Sequence, residues 1–420
     1  MVRNLCQALA VFSALALFGA ALGQEAPDKE VQQLFDKAKA LAKDNKYDQA
    51  AELMRKAVKL APRNDVVLAI TSEFERQAGE FTQALEHARQ AIQINDKPGQ
   101  YYVLAAAAAY GAQELDATRE YTQKLLKAGP SGYGEGPYKD AKHIDDLLRK
   151  KTYTITWQLD PRKARSAGPT LQVALPRGDL PYQKVTYKLV GARPQRLTRG
   201  EANHVLAVVP QGDKPFQLIT TVTVEPYSYK AKLAKRTAGS LPAEARAYLG
   251  ACEGYDPASQ KVRKAVGALK SRDTVETVNN VLAWMKKNIT YRRDQKSITD
   301  LDFKTVDDIL ERGHAECRGY TVLFVALCRA AGVPARPVWG VALVPGGKPD
   351  YASHNWAEVY VAGVGWVPVD PQRPESFGFL PTNVVRVFMD AKKSASTQEN
   401  LPLLNLLFMN GEQLKWQEGP

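Results

Sequence analysis

Cysteine and histidine are scarce in this chain, with four and five in 420 residues. The histidines are scattered without a paired spacing and no C-x-x-C occurs, so the ligand patterns of zinc sites are missing. No metal or nucleotide cofactor is expected. Long apolar runs are scarce too. The one that could span a bilayer, Leu5 to Leu22, follows Arg3 and leads into Ala20, Ala21 and Gly23. This reads as an export signal over residues 1–23, with cleavage near Gly23 or Gln24; a membrane anchor is the alternative. No cysteine follows the run at a lipobox-like position, since Cys6 precedes it. The mature chain is then expected to be secreted or periplasmic and not membrane-spanning. Loss of Cys6 leaves Cys252, Cys317 and Cys328, an odd number that suggests a free thiol. A Cys252–Cys328 disulfide would leave Cys317 free; otherwise Cys328 is a small buried core residue.

What is present is an ordinary globular composition, 24% charged, in a chain too long for one core. The net charge of +12 would suit nucleic acid inside a cell. Export makes that partner unexpected and leaves anionic cell-envelope components as long-range attractors, or simply a basic surface.

Residues 31–132 repeat with a period of 34, in windows 31–64, 65–98 and 99–132. Equivalent positions hold Tyr47, Phe81 and Leu115, then Ala50, Ala84 and Thr118, then Ala57, Ala91 and Leu125. Pro62, Asp96 and Pro130 close the units. Small residues let two helices approach closely, and the closing residues stop the second. The spacing resembles the tetratricopeptide repeat (TPR), with a degenerate third unit. The resemblance implies an all-α solenoid with a concave surface for a protein partner; a spacer or docking platform is the alternative. Residues 133–151, with the Gly-rich turn SGYGEGPY and a short polar helix, read as a linker.

From Thr152 the period changes to two. TYTITWQL, TLQVALP, QKVTYKLV, HVLAVVP and FQLITTVTV are β-branched and aromatic, and Pro, Gly and Asp separate them. They predict an all-β, sandwich-like domain over 152–230 without catalytic residues. Helical periodicity returns after Leu241, predicting helices over 258–270, over 273–288 with Asp273 as cap, and from Thr305 to Gly313. The segment 391–420 is a C-terminal extension, and its Asn410-Gly411 pair suggests two closing strands.

The chemistry concentrates between residues 315 and 372. AECRGYTVLFVALCRAAGVPAR predicts a helix from about Arg318 to Ala331, ended by Gly332 and Pro334. Cys317 then stands at its N-terminus, where free N–H groups and the helix dipole would lower a thiol's pKa. Cys328, three turns along, gets no such help. SHNWAEVYVAGVGWVPVDPQ predicts a hairpin turning at Gly363 and Gly365, which brings His354 beside Asp370. A thiol needs a base and the base an orienter, so Cys317, His354 and Asp370 are the candidate nucleophile, base and acid. His314 reads as a loop residue that could line the cleft.

These three blocks resemble the transglutaminase-like (papain-like cysteine hydrolase) superfamily over about 241–390. The resemblance implies an α+β fold with the cysteine helix packed on an antiparallel sheet, and the same three residues as catalytic triad. Members commonly place Gly where this chain has Ala315. The resemblance also implies an oxyanion hole formed by the Cys317 N–H and an upstream side chain, for which Trp284 and Tyr291 are the candidates. The expected function is attack on an amide or peptide bond of a protein or peptide substrate through a thioester. Water as acceptor gives hydrolysis, the favoured outcome; an amine gives protein crosslinking. A different reading makes the repeats the working part and the thiol fold an inactive scaffold in an envelope assembly.

Overall fold

The computed structural model describes residues 29–163, 170–200, 203–236, 239–251, 256–292, 305–344, 351–389 and 414–419. The expected export signal, Cys252 and the Asn410-Gly411 turn lie outside them. The chain divides into two compact units, residues 1–149 and 150–420.

The first unit is a stack of helices: α1 (Lys29–Lys43), α2 (Tyr47–Leu60), α3 (Asp65–Ala78), α4 (Phe81–Ile94), α5 (Gly99–Gly111), α6 (Leu115–Tyr133) and α7 (Glu135–Leu147). The 34-residue period is geometric, because Tyr47, Phe81 and Leu115 each open the second helix of a pair. Ala50, Ala84 and Thr118 follow by three residues and are all fully buried. Thr118 is tolerated because its hydroxyl donates to the Glu114 carbonyl at 2.9 Å. Gly111 is required by packing: a Cβ there would stand 2.1 Å from the Phe81 ring. Residues 133–151, expected as a linker with a short polar helix, carry that helix as α7, which packs onto the stack. Its Ala141 and Ile144 are buried with Tyr102, Val103 and Leu125. The Gly-rich turn misleads because Gly134, at φ 92°, only reverses the chain between two helices that pack together.

The second unit begins with a strand-rich region: β1 (Lys151–Leu159), β2 (Leu171–Leu175), β3 (Gln183–Val190), β4 (Ala192–Arg199), β5 (His204–Pro210) and β6 (Phe216–Val224). Strands β1, β6 and β3 form one antiparallel sheet, and β2, β5 and β4 a second. Alternate residues of β1 and β6 point into a shared core with Leu171, Val173, Leu206 and Val208. β4 is the strand that periodicity does not reveal. Six of its eight residues are exposed and polar or Pro, so it has no apolar alternation to read.

Then come α8 (Gln260–Val266), α9 (Thr274–Asn288), β7 (Thr290–Tyr291), α10 (Val306–Arg312), β8 (His314–Ala315), α11 (Cys317–Ala330), β9 (Ala335–Leu343), β10 (Tyr351–Val361), β11 (Gly365–Val369), β12 (Val384–Met389) and β13 (Leu414–Glu418). Asp273 caps α9 by accepting from the Glu276 N–H at 2.8 Å, and Thr305 and Asp308 cap α10 reciprocally. Strands β11, β10, β9 and β12 form one antiparallel sheet, with α11 packed on β10 and β9. β13 returns to pair with β1, at the edge of the first strand-rich sheet. Val341, Leu343, Val385 and Val387 of the β11-β10-β9-β12 sheet join the strand-rich core. The Gln183 side chain also bonds both backbone polar groups of Arg386, donating to its carbonyl and accepting from its N–H at 2.8 Å each. The two regions therefore share one core within a single compact unit.

Candidate active site

The start of α11 is fixed by Glu316. This residue takes an extended backbone (φ −90°, ψ −172°), and its carboxylate accepts from the Arg318 N–H at 2.9 Å and the Gly319 N–H at 3.1 Å. Upstream, the Ala315 carbonyl accepts from the Arg292 N–H at 3.0 Å, and Ala315 pairs with Tyr291. Cys317 is thus the first helical residue. Its thiol donates to Glu316 Oε2 at 3.0 Å and accepts from Asn355 Nδ2 at 3.6 Å.

Burial, and then the Glu316 carboxylate, push the Cys317 thiol up to about 12, against a smaller downward pull from Asn355. This corrects the expectation of a lowered pKa. That argument counted the first N–H groups of the helix as free, whereas Glu316 takes two of them and holds the thiol proton as well. Cys328 is free and fully buried in α11, the core-residue alternative, and burial raises its thiol further.

His354 lies early in β10 and Asp370 just past β11. Gly363 and Gly365, at φ 74° and 98°, turn the hairpin between them. Its register pairs Ala357 with Val369, so Asp370 comes back alongside the start of β10. His354 Nε2 and Asp370 Oδ2 are 2.9 Å apart, both residues buried. Asp370 is itself held: its N–H donates to Ser376 Oγ at 2.7 Å, and its Oδ1 accepts from the Gln372 N–H at 3.1 Å. Burial would raise the Asp370 carboxyl, but the His354 ring, with Arg373 and that N–H behind it, holds it below its usual value. An ionised Asp370 can only accept, which favours the ring proton on Nε2 and leaves the lone pair on Nδ1. Trp356 packs beside the imidazole, centroids 5.8 Å apart.

The structure therefore brings His354 and Asp370 into contact. It brings Cys317 to Asn355, the residue after His354; the sulfur's hydrogen bonds go to Asn355 and Glu316 rather than to the imidazole. Trp284 is half-buried on α9, and Tyr291 packs against Tyr320 with ring centroids 6.0 Å apart. His314 pairs with Thr290 in the short β7–β8 sheet. Sequence reasoning missed Glu316 and Asn355. A carboxylate three residues before Gly319 was the available sign of the first, and Asn355 adjoins a candidate base.

Residues 260–371 match the family model described as the transglutaminase-like superfamily. An uncharacterised protein of Haemophilus influenzae is 31% identical over 155 residues, a match covering 31% of this chain and 37% of that protein, so the chain spans little more than a third of that relative's length. Among solved structures, a candidate cysteine protease from Cytophaga hutchinsonii superposes with a TM-score of 0.39 at 16% identity, covering 65% of this chain and 89% of that one. The Sgt2 TPR domain from Aspergillus fumigatus superposes with a TM-score of 0.26 at 20% identity, covering 29% of this chain and 80% of that domain. Over residues 260–371, which include Cys317, His354 and Asp370, the chain carries a domain of the transglutaminase-like superfamily, the general type of a cysteine-dependent enzyme.

Proposed function

We propose that this chain is a thiol hydrolase of amide or peptide bonds, with Cys317 as nucleophile, His354 as general base and acid, and Asp370 as orienter. The observation that carries the reading is the 2.9 Å contact between His354 and Asp370, one residue from the Asn355 amide that touches the Cys317 sulfur. The thiol proton passes to His354 Nδ1 as sulfur attacks the substrate carbonyl carbon. The oxyanion is stabilised by the Cys317 N–H, which Glu316 leaves unused, and by the Asn355 amide. The C–N bond breaks, the imidazolium protonates the leaving amine, and a thioester remains. Water, deprotonated by Nδ1, then releases the acid and restores the thiol.

The reading extends to an exported chain, since the apolar run from Leu5 to Leu22 has the form of a signal, and to a protein partner for the repeats. Among the described residues, no helix is long and apolar enough to cross a membrane. A second reading, an inactive scaffold, is favoured by the thiol donating to Glu316 rather than to the imidazole.

The test incubates the purified chain and Cys317→Ala with peptide and envelope-protein substrates, with and without a labelled amine. New amino termini that vanish in C317A, a loss of about a thousandfold or more, support hydrolysis. Amine incorporation into glutamine-bearing acceptors would replace it with crosslinking. Equal behaviour of both proteins would leave the scaffold.

A further inference from the structure

Glu316 is an unusual neighbour for a sulfur nucleophile. A carboxylate beside a thiol opposes its ionisation, yet this one lies 3.0 Å from the Cys317 sulfur and is buried. It is also anchored: Oε2 accepts from the Arg318 N–H, Oε1 from the Gly319 N–H, and both donors are fixed by the helix. The carboxylate cannot swing away without leaving two N–H groups unsatisfied. Ser, Thr, Asp or Asn would cap the helix as well or better, with a shorter side chain. The longer glutamate reaches both N–H groups and the thiol at once.

We infer that Glu316 is a positioning residue that holds Cys317 in a protonated resting state, so that the thiol reacts only when a bound substrate turns the sulfur from Glu316 Oε2 to His354 Nδ1. This rests on the reading of Cys317 as nucleophile. The proton stays on sulfur throughout the resting state and moves once, to the imidazole, as the bond to carbon forms. The arrangement protects an exported thiol from solvent oxidants and electrophiles, which attack the thiolate. Ionisable residues close to Glu316 along the chain and its pairings include Arg318 on α11, His314 on β8, and Arg292, whose N–H donates to the Ala315 carbonyl. The Arg318 guanidinium is directed over the Trp339 ring, 4.7 Å from its centroid.

The test is the pH profile of iodoacetamide alkylation at Cys317 in the full chain, followed by peptide mass spectrometry. The wild type, Glu316→Gln and Glu316→Ser are compared, and C317A supplies the background from other cysteines. Both variants keep an oxygen to cap the helix and remove the charge. The expected result is a midpoint displaced to lower pH and a rate near pH 7 raised about tenfold or more, one pH unit of midpoint being tenfold in thiolate. If Gln disturbs folding, as thermal melting would reveal, the Ser variant carries the measurement. Superimposable profiles for wild type and a folded variant would overturn the inference. The hydrolysis assay on C317A fails or succeeds independently of this profile, so the two readings fall separately.

Discussion

Strand β10 meets two ionisable groups along its length, its own Glu358 and, at Asn355, the Cys317 thiol of α11, and their surroundings treat them oppositely. At the far end Glu358 lies between two arginines. It accepts from Arg336 Nε and Arg386 Nε at 2.8 Å each, and the Arg336 guanidinium stacks 3.7 Å from the Trp366 ring centroid. Burial would raise this carboxyl, but Arg386 and Arg336 hold it down at about 2. At the near end the Cys317 thiol is pushed up to about 12, because burial there is reinforced by Glu316 and no cation is among the sulfur's hydrogen-bond partners. Burial penalises charge at both ends; the sign of the nearest fixed charge decides the outcome. The far end is a strut whose ionisation is locked. The near end keeps its thiol neutral; in the proposed mechanism its activation falls to an imidazole, a group whose charge can change during a reaction.

The sharpest way to break this comparison is to disturb the near end without touching its packing. Asp370→Asn keeps the shape but presents an amide donor to His354, so the ring proton moves to Nδ1 and the base is lost. Hydrolysis by the proposed triad should fall by about ten-thousandfold, with a melting temperature close to the wild type's. A near-normal rate in D370N would remove Asp370 from the mechanism.

At the far end the expected pattern reverses. Glu358→Gln strands two buried guanidiniums without a counter-charge and should cost about 3–5 kcal/mol of stability, read from urea unfolding. The wild type should also lose this contribution in acid. The folded carboxyl lies below its ordinary value of 4.5, so the stabilisation is complete above that pH and disappears as the pH falls toward about 2. E358Q should lack that acid-dependent component. If E358Q is as stable as the wild type, the network is not a strut and the contrast fails.

The comparison also marks where sequence reasoning stops. His354 and Asp370 could be paired in advance because a hairpin turned by Gly363 and Gly365 brings residues at fixed offsets together. The helical repeats could be read because Ala50, Ala84 and Thr118 meet one packing demand at one spacing. Glu316 escaped because its effect depends on where a flexible side chain folds back. A helix start with free N–H groups and one with them occupied have the same periodicity. The partners of Glu358 escaped for another reason: Arg336 and Arg386 come from β9 and β12, and register across three strands is set by the assembled sheet. The return of β13 to β1 is likewise a long-range pairing that no local pattern announces.

The smallest expected effect calibrates the other two. Thr305 caps α10 from a position exposed to solvent, accepting from the Asp308 N–H at 3.3 Å while the Asp308 carboxylate accepts from the Thr305 N–H at 3.0 Å. Thr305→Ala removes one of these bonds and buries no charge, so it should cost about 1 kcal/mol in urea unfolding. It should leave both the alkylation profile of Cys317 and the acid limb of the unfolding curve unchanged. The helix it starts runs to Gly313, whose left-handed turn leads directly into His314, Ala315 and Glu316. A shift of the Cys317 profile in T305A would therefore mean that the seating of Glu316 depends on α10 as well as on α11. The near end would then be a property of the whole helical layer, whereas the far end answers to three side chains.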